Sequence, residues 1–276
     1  MKKTVLVLLI LLASGVSAFA KAKQEGSTGV ATVKIGVTGE ELVPAWGAAG
    51  KELEKEGIKI ELVNFSDYAV PNRALADGDI DLNAFQHDAF LQDEIKNHKY
   101  EIAAIGNTAL FFLGVYSHKI KSLNDLKNGD TVVIPNDTTN GGRALKVLEA
   151  AGVFSVDPSK GNTPTVRDIV SNPKNIKIVE VDASQTWRNL DDPQVAAGVV
   201  NSTFVVDAGR VPSQEAIYIK PIDFEGDKPY INLIVARTRD KDNPVYKKVL
   251  AAFQSATVAK VITDEPPLKG TALPAW

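Results

Sequence analysis

Apolar residues alternate with polar ones at Val33, Ile35 and Val37, then recur at helical spacing as far as Gly57. A period of two marks a half-buried strand and a period near 3.6 marks an amphipathic helix, so VKIGV is a strand and 44–56 a helix. The same change of period follows twice more. IKIELVNF is a strand with Ile58, Ile60 and Leu62 on one side, and Pro71 opens a short helix that Gly78 stops. DIDLNAF is a third strand and QHDAFLQDEIKNH a third helix. ALFFLGVYS, residues 109–117, is one apolar strand, after which SLNDLK forms a short helix. Farther on, Thr165 to Val170 reads as a helix with a Thr-x-x-Asp start that resembles a capping box. NIKIVEV is a strand, SQTWRNL a helix, and VAAGVV a strand ending at Asn201. AIYIK and PYINLIVAR are strands, and one long helix runs over 243–263.

A βαβαβ rhythm implies an α/β fold with mostly parallel sheets flanked by helices. Because the rhythm restarts after residue 117, two lobes are predicted: 30–112 with 227–276, and 113–226. Ligands in such sheets sit beyond the carboxyl ends of the strands. Those ends are DYAVPN, AFQH, PNDTTNGGR and NSTF, which would converge on a cleft between the lobes.

The stretch VVIPNDTTNGGRALKVLEAAG, residues 132–152, combines a short strand, a polar turn and a helix. Ala144, Leu145, Val147, Leu148 and Ala151 fill one arc of the helical wheel, while Arg143, Lys146 and Glu149 lie off it. Thr139 or Asn140 is the expected cap and Gly152 the C-terminal stop, with two glycines just before the helix and Arg143 in its first turn. Unpaired N–H groups and an arginine fork suit a carboxylate. The plainer reading of this stretch alone is an ordinary strand-to-helix turn with a solvated arginine.

A formal net charge of −3 gives no basic footprint for nucleic acid or an anionic membrane. Lys2 and Lys3, the apolar run Val5 to Ala13, and Ala18-Phe19-Ala20 have the form of a signal peptide cut after Ala20, followed by a polar linker over 21–29. An uncleaved anchor is the alternative. No cysteine occurs anywhere, which excludes disulfides, thiolate chemistry and a lipid anchor on cysteine. Val16 stands where Ala13-Ser14-Gly15 would place a lipobox cysteine. There is no Gly-x-Ser-x-Gly elbow, Walker loop or dinucleotide fingerprint, and His87, His98 and His118 lack metal-ligand spacing. Neither an enzyme nor a cofactor is indicated.

NFSDYAVPNRAL, GDIDLNAFQHDAFL, GVYSHKIKSLNDL, IPNDTTNGGRALKVLEAAG, VNSTF, PYINLIVAR and the terminal PAW follow one another in order. Together they resemble the MetQ/NlpA family, the methionine-binding proteins of ABC importers, over 33–276. The resemblance implies a two-lobed, periplasmic-binding-protein-like (type II) fold that holds L-methionine between its lobes. It also implies a permease with its ATPase subunit as partners, in the periplasm or at the cell surface. Arg143 matches the carboxylate-binding arginine, with Asn140 beside it, and Asn201 and Asn232 match asparagines at the ligand's polar end. Tyr68, Phe85, His87 and Phe90 match the aromatic wall around the side chain, although Ala89 and Phe90 replace the family's proline and tyrosine. D-methionine, a methionine-containing dipeptide, another amino acid, or a surface interaction protein without transport remain alternatives.

Overall fold

The computed structural model describes residues 30–276; the signal-peptide and linker expectations lie outside these residues. The chain enters as β1 (Ala31–Thr38), α1 (Val43–Glu54), β2 (Ile58–Phe65), α2 (Pro71–Asp77), β3 (Leu82–Asn83), α3 (Asp88–His98) and β4 (Ile102–Phe111). It then passes into β5 (Leu113–Tyr116), β6 (Thr131–Pro135), α4 (Thr138–Ala150), β7 (Ser155–Val156), β8 (Ile169–Ser171), β9 (Lys177–Val181) and β10 (Val195–Asn201). Short helices α5 (Ser202–Asp207) and α6 (Pro212–Glu215) lead to β11 (Tyr218–Ile219). The return consists of β12 (Ile231–Arg237), α7 (Pro244–Phe253), α8 (Ala256–Asp264) and β13 (Ala272–Pro274).

Two sheets result. A six-stranded sheet runs β13-β4-β12-β3-β1-β2 and a five-stranded one β11-β5-β10-β6-β9. Parallel pairs occur where the βαβ rhythm runs, as in β1 with β2 and β3, or β6 with β9 and β10. Antiparallel pairs occur where the chain crosses and returns, as in β12 with β3 and β4, or β10 with β5, so both sheets are mixed.

Strand alternation sends successive side chains to opposite faces, and each face is covered. Ile234 and Ala236 join Val33, Ile35, Trp46 and Phe253 in a core under α1, α7 and α8. Leu233 and Val235 point the other way, to Leu75, Ile80 and Leu91 of the α2–α3 layer. In the second sheet Val132 and Ile134 pack on Leu145 and Leu148 of α4, while Val133 packs with Tyr116, Leu190 and Phe204 behind.

Five sequence expectations about elements change. The apolar run 109–117 is not one strand: Phe112 separates β4, in the six-stranded sheet, from β5, in the five-stranded one. The long C-terminal helix is two helices, because the Ser255 hydroxyl caps a fresh start by accepting from the Val258 N–H at 3.3 Å. The segment after Thr165 keeps its reciprocal cap with Asp168 but makes one 3-10 turn before β8 instead of a helix. SQTWRNL is likewise two 3-10 turns, and SLNDLK holds a single one over Leu123–Asp125.

The cap of α4 differs as well. Asp137, not Thr139 or Asn140, is the N-cap, its Oδ1 accepting from the Asn140 N–H at 2.8 Å. Gly141 and Gly142 therefore lie inside the helix and Arg143 in its second turn. The glycines serve close packing. A Cβ on Gly141 would stand 2.8 Å from the Pro135 carbonyl oxygen, and one on Gly142 would stand 2.8 Å from that of Asn162.

Candidate functional site

Loops at the carboxyl ends of the strands in both sheets meet at one cavity. All eight residues singled out in the sequence border it: Arg143, Asn140, Asn201, Asn232, Tyr68, Phe85, His87 and Phe90. Tyr68 follows β2, Phe85 and His87 precede α3, and Phe90 lies in its first turn. Asn140 and Arg143 project from α4, Asn201 ends β10, and Asn232 lies at the start of β12.

Arg143 is 8% exposed. Its Nη2 donates to the Phe111 carbonyl at 2.7 Å, and its guanidinium carbon lies 4.4 Å from the Tyr230 ring centre. No ion pair among the described residues includes it. Burial pulls its pKa down, but a guanidinium stays charged in proteins. A buried cation without an anion is costly, so the site favours a ligand carboxylate.

A chain of amides continues from α4 with its polarity fixed at one end. Asp137 Oδ1 can only accept, so Asn140 turns its Nδ2 toward it at 3.1 Å and directs Oδ1 away. Asn201 Nδ2 donates to that Oδ1 at 2.8 Å. Asn201 Oδ1 is then buried without a partner, an acceptor waiting for a donor. His87 is set by the same logic. As N-cap of α3, its Nδ1 accepts from the Phe90 N–H at 3.1 Å, so the proton sits on Nε2, 3.4 Å from Asn140 Oδ1. Burial, reinforced by the Arg143 charge, lowers its pKa to about 3 and keeps the ring neutral. Asn232 faces His87 in an isolated antiparallel bridge and donates to the Phe85 carbonyl at 3.3 Å.

The opposite wall is aromatic. Tyr68 lies 5.8 Å from Phe85 and 6.0 Å from Phe90 between ring centres, and Phe85 meets Phe90 edge-on at 6.0 Å. Such edges suit an apolar, polarisable group.

Sequence reading missed several lining residues, among them Glu41, Gln86, Phe112, Ser202 and Thr203. Gln86 belongs to a buried amide cluster in which Asn72 Nδ2 donates to Gln86 Oε1 at 2.8 Å and Gln86 Nε2 to Asn83 Oδ1 at 3.0 Å. Glu41, on the turn after β1, is 6% exposed. It accepts from Ser202 Oγ at 2.8 Å and Thr203 Oγ1 at 2.6 Å, both on the segment following β10. Tyr68 donates in turn to Thr203 Oγ1 at 3.4 Å. Ser202 and Thr203 were within reach of sequence reading, since they continue the VNSTF loop; Glu41 gave no signal beyond that of a loop acid.

Residues 33–276 match the model of the NlpA lipoprotein family. The chain belongs to that family. Among NlpA relatives it is 42% identical over 245 residues to the D-methionine-binding lipoprotein MetQ of Escherichia coli O157:H7, covering 88% of each chain. A nutrient-binding protein from Burkholderia cenocepacia bound to methionine superimposes with a TM-score of 0.81 at 38% identity, over 88% of this chain and 100% of that one. A periplasmic substrate-binding protein of an ABC transporter from Coxiella burnetii gives 0.80 at 35% identity, over 88% and 100%. The fold of this NlpA member is accordingly the two-lobed, periplasmic-binding-protein-like one. Among its described residues no helix is long and apolar enough to cross a membrane.

Proposed function

We propose that this protein is an exported substrate-binding protein that captures L-methionine between its lobes and delivers it to an ABC permease and its ATPase subunit. The observation that carries this reading is Arg143, a buried cation with no anionic partner among the described residues, at one side of an aromatic-walled cavity. The ligand carboxylate would take the arginine fork in a charge-assisted pair. Its thioether would lie among Tyr68, Phe85 and Phe90, each ring contact contributing roughly 0.3–1.5 kcal/mol beyond burial. Burying the side chain adds about 1.5–3 kcal/mol. The role is binding and presentation, without chemistry on the ligand.

Residues 1–20 serve export and are removed after Ala20 in this reading. With no cysteine to carry a lipid, the mature chain works free in the periplasm or at the cell surface and meets the membrane through the permease. Support comes from the methionine-bound relative and the ABC-transporter relative, each spanned end to end.

The test is calorimetric titration of protein unfolded to strip carried ligand and then refolded. Tight one-to-one binding of L-methionine is expected, with D-methionine, methionine-containing dipeptides and other amino acids titrated in parallel. No heat and no thermal shift from a refolded, compact protein would sink the reading, and tighter binding of a parallel ligand would reassign the cargo.

A further inference from the structure

Arg143 has a counterpart of opposite sign in the same cavity. Glu41 is as deeply buried, at 6% against 8% exposed, and it too appears in no ion pair among the described residues. Arg143 stands on α4 beside the five-stranded sheet, whereas Glu41 stands on the turn after β1 of the six-stranded one. We propose that Glu41 receives the ammonium group of the bound amino acid and so makes the site selective for a free zwitterion. This inference rests on the amino-acid reading of the cavity.

Three observations point the same way. A carboxylate offers about four acceptor positions, and the Glu41 carboxylate accepts two side-chain bonds, from the Ser202 and Thr203 hydroxyls. The residue immediately before those hydroxyls is Asn201, whose Oδ1 is buried and without a partner. An ammonium brings three donors and no acceptor, which is what a stretch lined by a carboxylate and an orphaned carbonyl requires. Finally, burial pushes the Glu41 carboxyl up to about 7, against the opposing effect of its two hydroxyl donors and helped by the nearby Asp207 charge. The carboxylate is thus under-compensated where it sits, and a cation would restore it. With both ends of a zwitterion engaged, the charges of Arg143 and Glu41 are neutralised together, and each ligand end is held from a different sheet.

The experiment titrates wild-type protein, Glu41→Gln and Thr203→Val, all stripped and refolded, with L-methionine and with 4-(methylsulfanyl)butanoate, which lacks the amino group. Glutamine keeps the volume of Glu41 and an acceptor for the hydroxyls. Glu41→Gln should weaken L-methionine at least tenfold while changing the deaminated analogue less than threefold. Thr203→Val, which removes one donor to Glu41 but not its charge, should weaken L-methionine much less than Glu41→Gln does. An L-methionine affinity in Glu41→Gln within threefold of wild type would overturn the assignment. So would equal losses for both ligands, or a loss in Thr203→Val matching that in Glu41→Gln, since either would mark a bridge between lobes. Failure of wild-type protein to bind L-methionine would instead remove the reading on which the inference rests.

Discussion

In the proposed reading, replacing Arg143 by alanine would leave the ligand carboxylate buried without its cation. The expected loss is about 2–5 kcal/mol, or roughly 30- to 5,000-fold in Kd, measured calorimetrically. Arg143→Lys should recover only part of it, because an ammonium lacks the planar fork. Glu41 and His87 pull the pH response of the ligand-free protein in opposite directions. Glu41 has a folded pKa of about 7 against an ordinary 4.5, so its contribution is full below pH 4.5 and is lost as pH rises through 7. Asp207 and Tyr68 face it and Ser202 and Thr203 bond to it. His87, lowered to about 3 from 6.5, contributes stability that is lost as pH falls from 6.5 toward 3. Because the two slopes oppose each other in wild type, denaturant unfolding of Glu41→Gln should show stability rising with pH more steeply than in wild type between pH 5 and 6.5, where the His87 contribution is left uncompensated. An unchanged slope would mean that another group titrates there. At this scale the polar and aromatic residues named from the sequence do border the cavity, because loops at strand ends carry them. Glu41 was illegible because its burial is made by Ser202 and Thr203, more than 150 residues away in the chain.

Among the elements, α4 bears most on the site, since its first two turns position Asn140 and Arg143. Asp137→Ala removes both the cap and the group that orients the Asn140 amide. It should cost about 0.5–2 kcal/mol of stability in urea unfolding and weaken ligand binding as well. Gly142→Ala should cost about 1–3 kcal/mol, although alanine is the better helix former, because its Cβ would meet the backbone of Asn162 and Thr163 at 2.8 and 2.9 Å. A stabilised Gly142→Ala protein would refute that packing account. Most elements were legible from period and punctuation, as with Pro71 and Gly78 bounding α2. Where the sequence misled, tertiary partners decided. Nothing in the unbroken apolar run from Ala109 to Tyr116 reveals that its two halves pair in different sheets. By contrast, Ser255 was a readable cap inside the C-terminal helical run, and Asp137 a better cap than either residue chosen from the pattern.

For the whole molecule, a ligand held from both sheets favours the closed arrangement by its differential affinity. The structure already carries bonds between the turn after β1 and α5 and between α6 and the C-terminal segment, such as the Glu40 N–H to Asp207 Oδ1 at 3.0 Å and Ser213 Oγ to the Lys269 carbonyl at 3.1 Å. Methionine at about 100 times its Kd should stabilise the fold by about 2.7 kcal/mol, raising Tm by roughly 5–11 °C in a scanning calorimeter. An absent shift at that concentration would mean that methionine does not bind the folded protein. The break at Phe112 has one more consequence, for the order in which the protein acquires its shape. The five-stranded sheet is built from a single uninterrupted stretch, β5 through β11, and has all its strands before the C-terminus emerges. The six-stranded sheet must wait, because β12 inserts between β3 and β4 and arrives after every strand except β13. Long-range pairing of that kind is slow. Pulse-labelled amides of β6 and β10 should thus gain protection before those of β3 and β4, leaving the first strands made among the last to be secured.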